Sequence, residues 1–212
     1  MAPRFLLETI SAPFFYKPFI ASFIFYIAIF IISTLTARKT FHRERARAWL
    51  LTLISALVMT GGGLGFAFAF FASKERIDAF PLLDVDWANA VCACFIAFLA
   101  ADSVLGWLYF RGEVHWLTGW IHHVGYAIVV LVCIQHRVAG GFLTFASLLE
   151  LPTIPLALGH INKSWRRDYL FGLLFFTTRV VLNAGWVNQQ LKILKRPASN
   201  GRSTDIDGKL AL

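Results

Sequence analysis

Charged residues are scarce in this chain. Only 15% of its 212 residues are Asp, Glu, Lys or Arg, against about 25% in soluble domains, whereas 58% are hydrophobic. A soluble fold with this composition would lack the polar surface that keeps a protein in water. The apolar residues also form long blocks. We therefore predict an all-α, polytopic membrane protein with a single domain.

Cysteines and metal-binding motifs are also scarce. The three cysteines, Cys92, Cys94 and Cys133, fall within apolar blocks, so we interpret them as packing residues and predict neither a disulfide framework nor a zinc ribbon. The six histidines form no H-x-x-H-H or H-E-x-x-H motif. A metal-dependent hydroxylase or desaturase needs more ligands at closer spacing. We expect no metal and no cofactor.

A glycine-rich stretch, "GGGLG", occupies residues 61–65. No GK[ST] follows it and its surroundings are apolar, which excludes a phosphate-binding loop. Its G-x-x-x-G spacing, from Gly61 to Gly65, predicts close contact between two helices.

Six apolar blocks are long enough, or nearly so, to cross a bilayer, which takes roughly 20 residues. They predict a six-helix transmembrane bundle over residues 19–194, after an N-terminal segment of residues 1–18 and before a disordered polar tail of residues 195–212. The fifth block contains Pro152 and Pro155, so it is either a kinked span or a re-entrant segment. The blocks run from Phe19 to Thr36, Trp49 to Ala72, Trp87 to Phe110, His115 to Gln135, Val138 to Gly159 and Tyr169 to Ile193.

The basic residues are divided almost equally between the two ends of the predicted bundle. The formal net charge is +8, and the nearly equal division leaves the positive-inside rule without a preferred orientation. We interpret the charge as two basic rims that face lipid headgroups. No compact basic domain is present to bind a nucleic acid.

Three charged residues lie well inside apolar blocks, away from the block ends: Asp102 in the third, Glu150 in the fifth and Arg179 in the sixth. A charge at this depth costs at least ~2.5 kcal/mol, so each should face a partner or a wet cavity. Two structural alternatives stay open. Glu150 and Arg179 can form an ion pair between helices, and Asp102 can bond to a neighbouring helix.

Polar residues also recur at helical spacing. The stripes consist of His115, Gly119, His122 and Tyr126 in the fourth block, and of Arg179, Asn183, Trp186 and Gln190 in the sixth. Such faces are expected to line the bundle interior. We expect His122 to point toward Asp102 or Glu150. His123, rotated about 100° around the helix, should border the same cavity or bond a neighbouring helix, and both histidines can instead be purely structural.

The order of these motifs resembles the TLC-domain family, which includes the ceramide synthases and smaller six-span proteins of lipid homeostasis. Asp102 is followed by "WIHH" about twenty residues later, then by "SLLELPTIPLALGHINK" and "FTTR". The resemblance covers Trp49 to Leu194. The paired aspartates that follow the histidines in synthases are absent, and the spacing is closer to that of the smaller members.

The resemblance implies a role in lipid metabolism, with sphingolipids as one class of lipid, at the endoplasmic reticulum or another endomembrane. It makes His122, His123 and Asp102 the catalytic candidates, and it implies membrane lipids as partners beside a membrane-protein partner or a second copy of the chain. The candidate residues for a lipid-binding cavity are Glu150, Arg179, Asn183, Tyr126 and His115.

Two functions remain open at this stage. In the first, the protein binds, moves or senses a lipid in a polar cavity. In the second, it is an acyl-CoA-dependent N-acyltransferase, with acyl-CoA as a substrate and His122 as base or nucleophile.

Because six crossings is an even number, both termini are expected on one side of the membrane, the cytosolic side. Glycosylation acceptor sites inserted into residues 1–18 and 195–212 test this topology. Neither acceptor should be modified, and modification of only one would show that the termini lie on opposite sides.

Overall fold

The computed structural model describes residues 5–72, 84–181 and Ala184, and all of its regular secondary structure is helical. The prediction of an all-α fold is confirmed over this part of the chain. Two π-helical segments, π1 (Trp116–Ile121) and π2 (Phe176–Val181), and two 3₁₀ turns, Arg111–Glu113 and Lys163–Trp165, accompany the α-helices. The α-helices are α1 (Leu6–Ser11), α2 (Pro13–Thr36), α3 (Arg38–Phe41), α4 (Glu44–Ala72), α5 (Asp86–Tyr109), α6 (His122–Gln135), α7 (Ala139–Glu150), α8 (Thr153–Ile161) and α9 (Asp168–Phe175).

Among the residues that the structure describes, three helices, α2, α4 and α5, are long and apolar enough to cross a membrane. A fourth crossing is present if α7 and α8 count as one bent span. The fourth predicted block corresponds to π1 and α6, which follow each other without a gap. The sixth begins with α9 and π2 and then leaves the described residues. Length and composition therefore support three or four of the six predicted spans.

The first spanning helix begins earlier than the sequence suggested. Pro13 occupies its first turn, where a missing N–H costs nothing and the fixed φ favours a helix. Pro18 lies inside the same helix, so residues 13–18, assigned from sequence to the N-terminal segment, are part of α2.

The fifth predicted span is broken, as its prolines indicated. α7 ends at Glu150, α8 begins at Thr153, and the two axes differ by 46°. Neither Pro152 nor Pro155 has a backbone N–H to continue the hydrogen-bond ladder. A kinked span and a re-entrant segment both agree with this geometry.

The α5 helix forms the centre of the bundle. In its most apolar stretch 61% of the residues are buried, against 11% in α2, and α5 contacts α2, α4, α6 and α7. Large apolar side chains such as Ile31 and Phe71 are exposed on the outer surface, where a bilayer would cover them. A polar residue on the inner face of α5 is therefore held among several helices at once.

The closest helix approach involves a different glycine from the predicted G-x-x-x-G pair. A side chain at Gly61 or Gly65 would meet nothing within 4 Å. At Gly63, a Cβ atom would overlap the side chain of Ser147 and lie 2.6 Å from the carbonyl oxygen of Leu143, both in α7. The spacing predicted a contact in the right stretch but on the wrong face of α4. Gly63 is two residues from both Gly61 and Gly65, which corresponds to a rotation of about 200° around the helix.

Gly63→Ala is expected to destabilise the protein by about 1–3 kcal/mol, because the added methyl group overlaps the backbone of α7. Gly65→Ala is the matched control, since its methyl group enters open space and alanine favours a helix. Thermal unfolding of both variants in the same detergent measures the difference. Equal melting temperatures for the two variants would show that α4 and α7 are not in close contact at Gly63.

Candidate functional site

A cavity of about 470 Å³ lies between α4, α5, α6, α7, α8 and the two π-helical segments. Its wall includes apolar side chains from α4, α5 and α8 together with most of the polar residues singled out in the sequence. The eighth predicted site residue, Asn183, lies outside the described residues. The seven that line the cavity are His115, His122, His123, Tyr126, Asp102, Glu150 and Arg179.

His123 is held by two neighbouring residues of α5. Its Nε2 atom lies 3.7 Å from Oδ2 of Asp102, and its Nδ1 atom lies 3.1 Å from the hydroxyl oxygen of Ser103. The side chains of His123 and Asp102 are only 13% and 10% exposed. Both ring nitrogens thus face polar atoms of a single helix, which fixes the orientation of the imidazole.

His122 is more exposed than His123 and lies on the same cavity. Its ring packs on the Tyr126 ring, with centroids 4.4 Å apart. The sequence predicted that His122 points toward Asp102 or Glu150. The structure pairs Asp102 with His123, because the rotation of about 100° between adjacent residues turns His123 toward α5, and the direction of His122 toward Glu150 stays a prediction. His122 remains directed at the space a ligand would occupy.

Glu150 and Arg179 both line the cavity. The sequence predicted that each faces either a partner or a wet cavity, and lining the cavity agrees with the second arrangement. The Nε and Nη2 atoms of Arg179 donate to the carbonyl oxygen of Leu149, at 3.3 and 2.8 Å. This carbonyl belongs to the last turn of α7, where an α-helix leaves its own acceptors unpaired. Glu150 also interacts with the side chain of Thr153 across the break between α7 and α8. Arg179 thus caps a broken helix beside an acid.

The irregular backbone coincides with the site. His122 follows directly after π1, and Arg179 lies within π2. Wide π turns are rare and frequently occur at functional sites, where they shift the direction of the following side chains. The stripe pattern read from the sequence assumed a regular period of 3.6 residues and contained no signal for these segments.

One end of the cavity is formed by residues that sequence reasoning missed. The indole of Trp49 stacks on the ring of His160, with centroids 4.2 Å apart and an interplanar angle of 18°. Arg45 donates its Nε–H to Glu113 at 3.0 Å. All four residues line the cavity. They lie near the ends of their elements, where charged and aromatic residues are common at membrane interfaces, so no sequence pattern assigned them to the site.

No cluster of three or more His, Cys, Asp or Glu side chains that could hold a metal ion occurs within residues 5–72 and 84–181. The expectation that the chain needs no metal or cofactor stays a prediction.

Comparison of the chain with models of known protein families, with curated proteins and with solved structures finds no match. Over the described residues, the fold and the site define a helical protein with membrane-length apolar helices and a cavity lined by both polar and apolar side chains. The resemblance to the TLC-domain family stays a prediction from the sequence motifs.

Arg179→Gln is expected to lower stability by about 1 kcal/mol, since it removes a charge-assisted bond to the end of α7. Arg166→Gln is the matched control, because Arg166 pairs with Asp168 on an exposed surface and such pairs contribute little. Thermal unfolding in detergent measures both. Loss of stability in the control alone would contradict the capping role of Arg179.

Proposed function

We propose that this chain is an integral membrane protein of lipid homeostasis that binds, or acts on, a lipid or acyl chain in the cavity. The observation that supports this proposal best is convergence: side chains from α5, α6, α7 and π2 place two imidazoles, two carboxyl groups and a guanidinium on one cavity. Buried polar groups among apolar helices are costly, and they commonly mark functional sites.

The proposal includes a six-span bundle in which the cavity lies at membrane depth. The stretch formed by π1 and α6, from Trp116 to Gln135, is continuous. The proposal takes it as the fourth span, although its apolar helix, Gly119–Gln135, is shorter than α2, α4 and α5. The sixth predicted span, Tyr169 to Ile193, begins with α9 and π2, and most of its remainder lies outside the described residues. The site residues Asp102, Glu150 and Arg179 would then lie well inside the apolar layer rather than at its surface.

The composition of the cavity wall suits an amphiphilic ligand. Phe95, Phe98 and Leu99 of α5 contribute apolar surface, while His122 and Glu150 provide polar contacts. A volume of about 470 Å³ lies within the range of roughly 300–1,000 Å³ that small-molecule sites occupy. We propose that the acyl part of a lipid packs on the aromatic wall and that its polar group meets the histidines. The resemblance to the TLC-domain family supports a lipid as the ligand and an endomembrane as the location.

The second candidate is an acyl-CoA-dependent N-acyltransferase acting on a lipid amine. It is favoured by the unequal environments of the two histidines: Asp102 and Ser103 hold His123, while His122 faces the cavity. With His122 as base, the amine nitrogen attacks the thioester carbonyl and His122 takes its proton. The carbon–sulfur bond then breaks, the thiolate of CoA accepts a proton, and an amide remains.

His122→Ala is expected to leave stability within about 0.5 kcal/mol of wild type, since the side chain is exposed on the cavity, but to reduce severalfold the lipid that copurifies with the protein. His123→Ala should instead lower stability, because it removes the polar neighbour of the buried Asp102 carboxyl group. His42→Ala is the control, as His42 contacts the Lys39 carbonyl away from the cavity. Unfolding curves and mass spectrometry of bound lipid provide the two measurements.

If His122→Ala retains lipid at the wild-type level, the histidine has no part in ligand binding. Incubation of wild type with acyl-CoA and a panel of lipid amines separates the two candidates: an amide product that His122→Ala fails to form identifies the acyltransferase, and bound lipid without product identifies the binding protein.

A further inference from the structure

Ser103 is a polar neighbour of His123 to which no sequence motif pointed. Its hydroxyl oxygen lies 2.7 Å from the carbonyl oxygen of Leu99, one turn back in α5, and 3.1 Å from Nδ1 of His123. A hydroxyl group has only one proton to donate. A carbonyl oxygen has none, so a separation of 2.7 Å between the two oxygens requires the serine proton to lie on that line.

The direction of the second bond follows from the first. Because the Ser103 proton is committed to Leu99, the serine oxygen can only accept from His123. Nδ1 of His123 therefore carries a proton. In a neutral imidazole only one nitrogen is protonated, and its partner determines which one, so Nε2 presents a lone pair to Asp102.

The Asp102 carboxyl group completes the arrangement. Its Oδ2 atom lies 3.7 Å from Nε2, and its Oδ1 atom is buried without a hydrogen-bond partner. An ionised carboxylate facing a lone pair would place two acceptors together in a poorly solvated site, which is costly. A single proton removes the conflict, either on the carboxyl group or on Nε2, and in both cases the pair has no net charge.

We propose that Ser103 is a positioning residue that holds His123 with its proton on Nδ1, so that the pair formed by Nε2 and the Asp102 carboxyl group carries one proton, on one partner or the other. His122 is next to this pair, with its ring centroid 5.9 Å from that of His123. Any use of this proton in ligand binding rests on the proposed function of the cavity. The position of the proton on Nδ1 is independent of that function.

The test is nitrogen NMR of the full chain in lipid nanodiscs, with histidine labelled in both ring nitrogens. The His123 signals are assigned through their contacts with Phe98, whose ring centroid lies 6.1 Å away. Wild type should show a protonated Nδ1. In Ser103→Ala the neutral ring should shift toward protonation at Nε2, with a change in the tautomer ratio of about fivefold or more, the equivalent of one hydrogen bond. Ser103→Thr, which keeps the hydroxyl group, should restore the wild-type ratio.

A wild-type spectrum with an unprotonated Nδ1 would overturn the proposal, and it would do so even if the alanine variant failed to fold. An unchanged tautomer ratio in Ser103→Ala would also overturn it. The outcome is separate from that of the lipid measurement: a protonated Nδ1 in protein that carries no lipid supports the role of Ser103 and contradicts the proposed function.

Discussion

A polar group enclosed by apolar helices must meet another polar group, and Asp102 sets this requirement at the centre of the bundle. It lies on α5, the most enclosed of the long helices, so it cannot turn toward solvent at the surface. His123 of α6 meets it at 3.7 Å, which ties the orientation of α6 to that of α5. The adjacent His122 is thereby directed onto the cavity shared with Glu150 and Arg179.

Departures from regular helix geometry cluster around the same cavity. The π1 segment precedes His122, π2 contains Arg179, and the break between α7 and α8 follows Glu150. In an apolar medium, irregular backbone is tolerated only where the protein satisfies its polar groups or where it lines a cavity. Arg179 supplies such a partner by donating to the Leu149 carbonyl. The convergence of polar side chains and the irregular backbone thus occur around the same cavity.

The long helices and the approximate site were predictable from sequence, because hydropathy and polar spacing report on burial directly. The break at Pro152 was predictable from the chemistry of proline. The contact of Ser103 with His123 was not predictable, since a single serine within an apolar helix belongs to no repeated spacing or motif that would distinguish it. The Trp49–His160 stack joins residues far apart in the chain. Gly63 rather than Gly65 contacts α7 because the phase of a helix is set by its neighbours, which spacing alone does not contain.

Photocrosslinking tests most directly whether a lipid occupies this cavity. A lipid with a diazirine in its acyl chain would be incorporated into nanodiscs with the protein, irradiated, and mapped by peptide mass spectrometry. Occupancy predicts saturable labelling at Phe98, Tyr126 and Leu156, which line the cavity, and its loss on addition of unlabelled lipid. Labelling only at outward residues such as Ile31 and Phe71, without competition by unlabelled lipid, would contradict a lipid-binding cavity.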